Sequence, residues 1–481
     1  RSLGGSGTGF LTDVTETSNL GSAALPGIPS SSYSKSVLLS YLGRVNYSFD
    51  NKYLFTVSMR ADGSSKYSEG SKWAYFPSGA FAWKAKEENF LKDVEFISNL
   101  KLRTSFGYTG SQAIGAYATL NQLSSGKSVF GDAIYTSFAP GTTLPANLKW
   151  ETTEQIDVGF DISILNSRFG LSVDLYQKTT RDLLNAVSLP SSLGYTRTIQ
   201  NIGKIGNKGL ELALDAKVLT GEFNWALNAN IAFNRNKVIK LSKGQDILGP
   251  QVGDNPLRDN ISILSEGEPM SVFYGYTKDG YDAAGKEIYK DLSGTAGVPD
   301  GVINAFDRQI IGDPNADFTY GLNSTMTFKG FELNLFFQGI QGNDLVNFSA
   351  LGNTLDYGFG VNMTKEVFYN HWTPDNPNAK YPVLSRNYSY KFSDRMIEDG
   401  SFLRLRNVRF AYNLPLNNWG IKSMREIQLY VSGQNLLTIT KYSWYDPEVN
   451  SQGSPNSINQ GLDYYTYPTT KSVTFGIKIG L

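Results

Sequence analysis

Apolar and polar residues alternate one by one through segment after segment of this chain, and each stretch lasts roughly the ten residues that a tilted strand needs to cross a bilayer. Ile156, Val158, Phe160, Ile162 and Ile164 share one face of such a segment, and Gln155, Asp157, Gly159, Asp161 and Ser163 share the other. Phe169, Leu171, Val173 and Leu175 repeat the arrangement against Gly170, Ser172, Asp174 and Tyr176. Leu210, Leu212, Leu214 and Val218 oppose Glu211, Asp215 and Lys217, and Phe223, Trp225, Leu227, Ile231 and Phe233 oppose Asn224, Asn228, Asn230 and Asn234. Successive side chains of a strand point to opposite faces, so a period of two gives each segment one apolar and one polar side. No run approaches the ~18 apolar residues of a membrane helix, so a chain like this enters a membrane only as strands.

A soluble sandwich also alternates, and connection lengths separate the two readings. Asp50-Asn51, Asn166-Ser167-Arg168, Thr220-Gly221-Glu222 and Lys329-Gly330 are short, whereas 109–152, 237–315, 340–400 and 438–469 are long. Short turns at one end of the strands and long loops at the other are the pattern of an outer-membrane barrel. About thirteen strands are expected, near 37–48, 52–61, 74–85, 98–109, 153–165, 168–180, 204–219, 223–236, 316–329, 330–341, 401–413, 426–437 and 470–481. With the short turns in the periplasm, the first and last of these run inward. A closed single-chain barrel usually has an even number of strands, which predicts an odd number missing from the N-terminal side. The chain therefore reads as a fragment, opening on Arg1 and a Ser2–Gly9 stretch expected to be loop. Trp73, Tyr75, Phe76, Trp83, Tyr108, Trp150, Phe410 and Tyr412 lie toward strand ends, where interfacial girdles would put them, although a sandwich core would also use such rings. The last segment, Val473–Leu481, alternates to its end, as a barrel-assembly signal would, with an aliphatic and not an aromatic final residue.

Composition narrows the function classes. Lys+Arg and Asp+Glu balance at 44 each, which leaves no electrostatic footprint for nucleic acid. Gly 48, Tyr 28 and Phe 28 favour strands and tight turns. Cys 0 removes disulfides and thiolate chemistry, and the single histidine, His371 beside Trp372, is expected to be structural or solvated. Glu87 with Glu88, and Asp157 with Asp161, invite a glycosidase reading, but 157 and 161 are about 13 Å apart by strand rise, beyond the usual range of paired carboxylates. No glycine run has phosphate-loop spacing, since Gly4-Gly5-Ser6-Gly7 lacks the Lys-Ser/Thr ending. The chain is read as not an enzyme.

Blocks distributed over nearly the whole chain resemble one family. They are Gly43-Arg44-Val45-Asn46-Tyr47 with Asn51-Lys52-Tyr53-Leu54, Arg60-Ala61-Asp62-Gly63-Ser64-Ser65-Lys66-Tyr67, Trp73-Ala74-Tyr75-Phe76-Pro77-Ser78 and Leu102-Arg103-Thr104-Ser105-Phe106-Gly107. Further along come Trp150-Glu151-Thr152-Thr153, Asn207-Lys208-Gly209-Leu210-Glu211, Ile311-Gly312-Asp313-Pro314, Phe402-Leu403-Arg404-Leu405-Arg406-Asn407 and Gly433-Gln434-Asn435-Leu436. In this order they resemble the SusC-like, or RagA-like, TonB-dependent outer-membrane transporters typical of Bacteroidetes. The resemblance implies an all-β transmembrane antiparallel barrel of 22 strands, of which residues 1–481 supply the C-terminal portion. It also implies a plug and about nine further strands N-terminal to this chain, coupling to TonB, and a SusD-like lipoprotein as lid. The implied function is active import of oligosaccharides or peptides across the bacterial outer membrane. A passive porin and a soluble carbohydrate-binding β-sandwich are the alternatives.

Two groups of residues are candidate sites. Asp291, Asp300, Val302, Asn304 and Asp307 follow the latter part of a calcium loop, with Gly301 for the turn and a backbone oxygen at Val302, interrupted by residues 294–299; a bound Ca2+ is weighed there against a solvated acidic turn. Similar Asp-rich loops occur in the family just before the Gly-Asp-Pro stretch. Trp444, Tyr445, Tyr464, Tyr465 and Tyr467 are candidates for substrate or lid contact, weighed against a role in packing the loops on one another.

Overall fold

The computed structural model describes residues 1–481 except 13, 15, 242–243, 254–257, 295–297, 351–361, 386–389, 422, 453–457 and 481. The alternating segments form thirteen long strands: β1 Leu38–Phe49, β2 Tyr53–Ser64, β3 Trp73–Lys84, β4 Ile97–Ser111, β5 Glu151–Ile164, β6 Phe169–Arg181, β7 Lys204–Leu219, β8 Phe223–Lys240, β9 Phe318–Phe328, β10 Phe331–Gln341, β11 Phe402–Asn413, β12 Glu426–Thr440 and β13 Ser472–Gly480. They make one antiparallel sheet in which every strand pairs with its neighbours in the chain. All thirteen expected segments are strands, with ends displaced by a few residues.

Register carries the faces across the sheet. Val158 pairs with Leu175, Leu175 with Leu210 and Leu210 with Phe233, giving an apolar row, while Gly159 pairs with Asp174 and Asp174 with Glu211 in the polar row beside it. The apolar face is open to its surroundings, with Val57 at 65%, Val158 at 52% and Leu175 at 54% exposure, a face that hydrocarbon and not water would cover. The tight turns explain the registers. Phe328 pairs with Phe331 around Lys329-Gly330, both at positive φ (47° and 87°), the two-residue geometry whose twist matches that of the strands. Asp50 and Asn51 are also at positive φ, 50° and 52°, in a connection one residue longer, since Phe49 pairs with Tyr53.

The long connections are more ordered than bare loops, because long stretches of backbone must satisfy their own N–H and C=O groups. Loop 109–152 holds a hairpin of Leu123–Phe130 and Ala133–Pro140. Loop 237–315 holds a four-stranded sheet of Ile247–Leu248, Ser262–Leu264, Val272–Gly275 and Gln309–Gly312. Asp344–Asn347, Ile397–Asp399 and Leu462–Asp463 form a further sheet joining two loops. Phe273 and Ile261 from loop 237–315, Val346, Phe348 and Phe392 from loop 340–400 and Leu462 from loop 438–469 share a single apolar core. Three loops thus make one packed body over one end of the sheet.

Two expectations are corrected. Ser2–Gly9 is not plain loop: Ser2–Gly4 pairs with Ser30–Ser32 and Gly7–Thr8 with Leu25–Pro26, since its small residues pose no steric bar to extended backbone. Phe76 and Trp150 are not girdle residues. They are buried with Tyr67, Ile114 and Leu148 beneath the 109–152 connection, whereas Trp73 and Tyr75 are exposed.

Candidate functional site

The polar face of the sheet is built from charges that cross strands. Arg103 on β4 donates from Nε to Asp161 Oδ2 on β5 at 2.8 Å, and its Nη2 lies 2.9 Å from Asp174 Oδ1 on β6. Ser172 Oγ donates to Asp161 Oδ1 at 2.6 Å. The arginine spans β5 because Gly159, its register partner, has no side chain; a Cβ there would sit 2.6 Å from Arg103 Cζ. The oxygens of Asp161 are committed to Arg103 and Ser172, which gives it a place in the wall of the polar face. Glu88 accepts from Tyr53 Oη and Trp83 Nε1, so it too is structural.

A second charged group lies where β11 meets loop 438–469. Arg404 is buried, and donates to Asp446 at 2.5 Å and Glu448 at 2.9 Å. Arg406, at a register shift between Leu405 and Asn407, joins the same Glu448 at 2.5 Å and takes Gln338 on β10. Arg404 and Arg406 converge on this one carboxylate, as residues two apart on a strand can because they share a face. Burial would raise the Asp446 carboxyl, but bonds from Thr469 and Arg404 and from the backbone N–H groups of Glu448 and Thr469 outweigh it and hold it below the usual carboxylate range. Sequence reasoning used these arginines only as part of a family block; three arginines within Phe402–Phe410 were the signal that something must neutralise them.

The five aromatic candidates divide in two. Trp444 packs against Leu345, Tyr442 and Val449, and Tyr464 packs against the shared loop core through Phe348. Tyr445, Tyr465 and Tyr467 point outward, at 73%, 66% and 84% exposure. Each outward ring beside a packed one touches it: Tyr445 meets Trp444 and Tyr465 meets Tyr464, both with centroids 4.9 Å apart. The strand Asp344–Asn347 organises both pairs. Leu345 contacts the Trp444 side, and Val346, which pairs with Leu462, points to the core under Tyr464. Asp463 fixes the second segment by accepting from Ser349 Oγ at 2.6 Å and Tyr442 Oη at 2.7 Å. Sequence reasoning missed Asp463, because its partners lie 114 and 21 residues away.

Asp291, Asp300, Val302, Asn304 and Asp307 do come together, as a turn closed by backbone donors. Asp307 is buried; Oδ1 accepts from the N–H of Leu292 and Ser293, both at 2.8 Å, and Oδ2 from that of Asn304 at 2.7 Å. These bonds, that from Asn304 first, hold its pKa down to about 2. Asp291 accepts from Gly301 N–H at 2.6 Å, Asp300 from Val302 N–H, and the Val302 carbonyl is taken by Asn304 Nδ2. Calcium needs six to eight oxygens gathered about one point. Among the described residues no group of three or more His, Cys, Asp or Glu side chains is so gathered, and these three aspartates are turned toward amides instead. His371 Nδ1 lies 2.6 Å from the Phe368 carbonyl in a turn after a short helix, in keeping with the structural role expected of it.

Comparison with known proteins agrees with this architecture. A family profile described as TonB dependent receptor-like, beta-barrel matches residues 3–300. The chain is 38% identical over 495 residues to TonB-dependent receptor P3 of Formosa agariphila, covering 98% of this chain and 48% of that protein. It is 34% identical over 462 residues to TonB-dependent receptor SusC of Bacteroides thetaiotaomicron, covering 92% and 44%. A solved structure of the RagAB peptide transporter superposes with a TM-score of 0.82 at 27% identity, covering 98% of this chain and 51% of that one. The chain thus spans about half the length of the curated relatives it matches.

Proposed function

The chain belongs to the TonB-dependent receptor-like β-barrel family, and from that premise we propose that it forms a wall of an outer-membrane importer. The importer takes up oligosaccharides or peptides too large for passive pores, draws its energy through TonB, and works with a SusD-like surface lipoprotein. The observation that carries the reading is the thirteen-stranded antiparallel sheet with one aliphatic and one polar face, its tight turns at one end and its packed loops at the other. The aliphatic face suits lipid; the polar face, laced by Arg103, Asp161 and Asp174, suits a water-filled or protein-filled interior. Similarity to SusC and to the RagAB peptide transporter supports a large solute and a surface partner. The exposed tyrosines Tyr445, Tyr465 and Tyr467 are the residues assigned to contact with substrate or lid.

Uptake of labelled oligosaccharides and of labelled peptides by cells with and without the full-length gene tests the reading, each run with and without a protonophore. Gene-dependent uptake abolished by the protonophore is expected. Gene-dependent uptake that ignores it would leave a passive pore, and recovery of the protein from the soluble fraction without detergent would remove the membrane role.

A further inference from the structure

Outside the sheet, the hairpin Lys278–Tyr281 with Glu287–Tyr289 leans on the turn that follows the short helix Lys365–Asn370. Three contacts lock the two together: Tyr281 Oη donates to the Lys380 carbonyl at 3.1 Å, Val383 N–H donates to the Gly285 carbonyl at 2.9 Å, and the Trp372 ring covers Gly285 so closely that a Cβ there would lie 2.3 Å from it. Between them is a cavity of about 590 Å3 whose lining includes Lys278, Asp279, Tyr281, Trp372, Pro377 and Asn378. That size lies within the range of small-ligand sites.

The polar groups of this cleft are not spent on one another. Lys278 Nζ stands 3.8 Å over the Tyr281 ring centroid, and the carboxylates that act on it, Glu287 and Asp394, lie outside the lining of the cleft. The Asp279 carboxylate and the Asn378 amide have no hydrogen-bond partner among the described residues either. Asp282, also on the lining, uses Oδ1 to cap the hairpin turn through the N–H groups of Ala284 and Lys286, leaving Oδ2 free. Burial lowers the pKa of Lys278, a sign that its ammonium is short of solvation.

Charge decides what fits. An anionic ligand would meet Asp279 and Asp282, and a cationic one would meet Lys278. A neutral ligand rich in hydroxyls donates to the carboxylates and the amide oxygen and accepts from the ammonium, while its ring lies against Trp372 on the cleft wall. We propose that this cleft between the 278–289 hairpin and the 372–379 turn is a surface site for a neutral saccharide ring. It is separate from the polar face of the sheet and does not depend on the chain acting in transport.

The test uses the full-length protein in detergent, with maltohexaose, laminarihexaose, xylohexaose and mannohexaose as probes, read by saturation-transfer difference NMR and then calorimetry. At least one hexaose is expected to bind. Lys278→Ala with Asp279→Ala, which changes side chains and leaves the hairpin's backbone pairing in place, is expected to weaken that binding at least tenfold with the melting temperature unchanged, and Trp372→Phe to weaken it less. Absence of binding across the panel, or binding that survives the double variant, overturns the proposal. So does a charged hexapeptide that binds in place of the sugars and is lost in the double variant. Uptake by cells is a separate readout: its failure with hexaose binding intact rejects transport and leaves the cleft standing.

Discussion

Arg103 reaches Asp174 two strands away, at 2.9 Å, by laying its guanidinium across Gly159. The gap in the intervening strand is therefore part of the ion-pair geometry. Any side chain at 159 collides with Arg103 and with Asp174 Oδ1 as well, which lies 2.5 Å from an ideal Cβ. Gly159→Val is expected to detach Arg103 from Asp174 and to destabilise the folded barrel by about 1–3 kcal/mol, the usual cost of overpacking. The midpoint of the heat-induced mobility shift of the full-length protein on gels checks this. Asp174→Asn should shift it less, because both groups are partly exposed and water can replace the bond. Equal midpoints for Gly159→Val and the wild type would show that Arg103 has room to move elsewhere.

Arg404 ties loop 438–469 to the sheet. Removing Asp446 leaves a buried guanidinium with Glu448, Thr438 and Thr469 as its remaining charged and polar partners. Breaking one side of a buried pair costs about 3–5 kcal/mol. Asp446→Ala is accordingly expected to open the loop without unfolding the barrel: trypsin should cut at Lys441 in the variant and not in the wild type. Replacing both partners, as Arg404→Met with Asp446→Leu, should restore much of the resistance, since no charge is then left unpaired. A double variant as sensitive as Asp446→Ala would mean that the loop is held elsewhere.

The turn around Asp307 gives a pH dependence whose sign follows from its carboxylate. The native pKa is depressed to about 2 from an ordinary 3.8. A depressed carboxyl stabilises the fold above its unfolded value and loses that contribution as pH falls toward its folded one. Amide exchange at Leu292, Ser293 and Asn304, corrected for intrinsic rates, should thus be constant from pH 7 to about 5 and accelerate only between about 4 and 2. Asp307→Asn should exchange faster at neutral pH and lose the acid step. Addition of calcium or of a chelator is expected to leave these amides unchanged, because the carboxylate oxygens already serve the backbone. Slowing by calcium would instead mean that the turn rearranges to admit the ion.

The sheet was legible because its rule is local. Each of Ile156, Val158 and Phe160 needs only its own neighbours to declare a face, and Lys329-Gly330 declares its turn in two residues. The loop body was not legible, because its contacts join remote segments: Ser262 bonds Asn459 across 197 positions, and Phe273 meets Leu462 in one core. Periodicity cannot report such pairings. It misjudged Phe76 and Trp150 for the same reason, since whether a ring at a strand end meets lipid or a folded-back loop depends on the loop. The calcium motif matched in residue type, but a spacing says nothing of where each oxygen points. The aromatic candidates were left between packing and contact, and within each adjacent pair one ring is packed and the other exposed.

That division makes the final prediction sharp. Trp444 and Tyr464 fill loop cores, and Tyr445, Tyr465 and Tyr467 present their rings to the outside. Truncating a packed aromatic removes buried area and leaves a void, at a cost of about 2–4 kcal/mol for rings partly buried. Trp444→Ala should therefore expose loop 438–469 to protease whatever the barrel binds. Replacing Tyr445, Tyr465 and Tyr467 by serine together should leave protease resistance and the mobility shift as in the wild type, because solvent-facing rings contribute little to the fold. If these rings contact solute or lid, the triple variant loses uptake or copurification of a surface lipoprotein by at least tenfold, as expected when exposed aromatic anchors are removed from a binding surface. Uptake and copurification both unchanged in a well-folded triple variant would withdraw the three tyrosines from the site and return the binding surface to the polar face of the sheet.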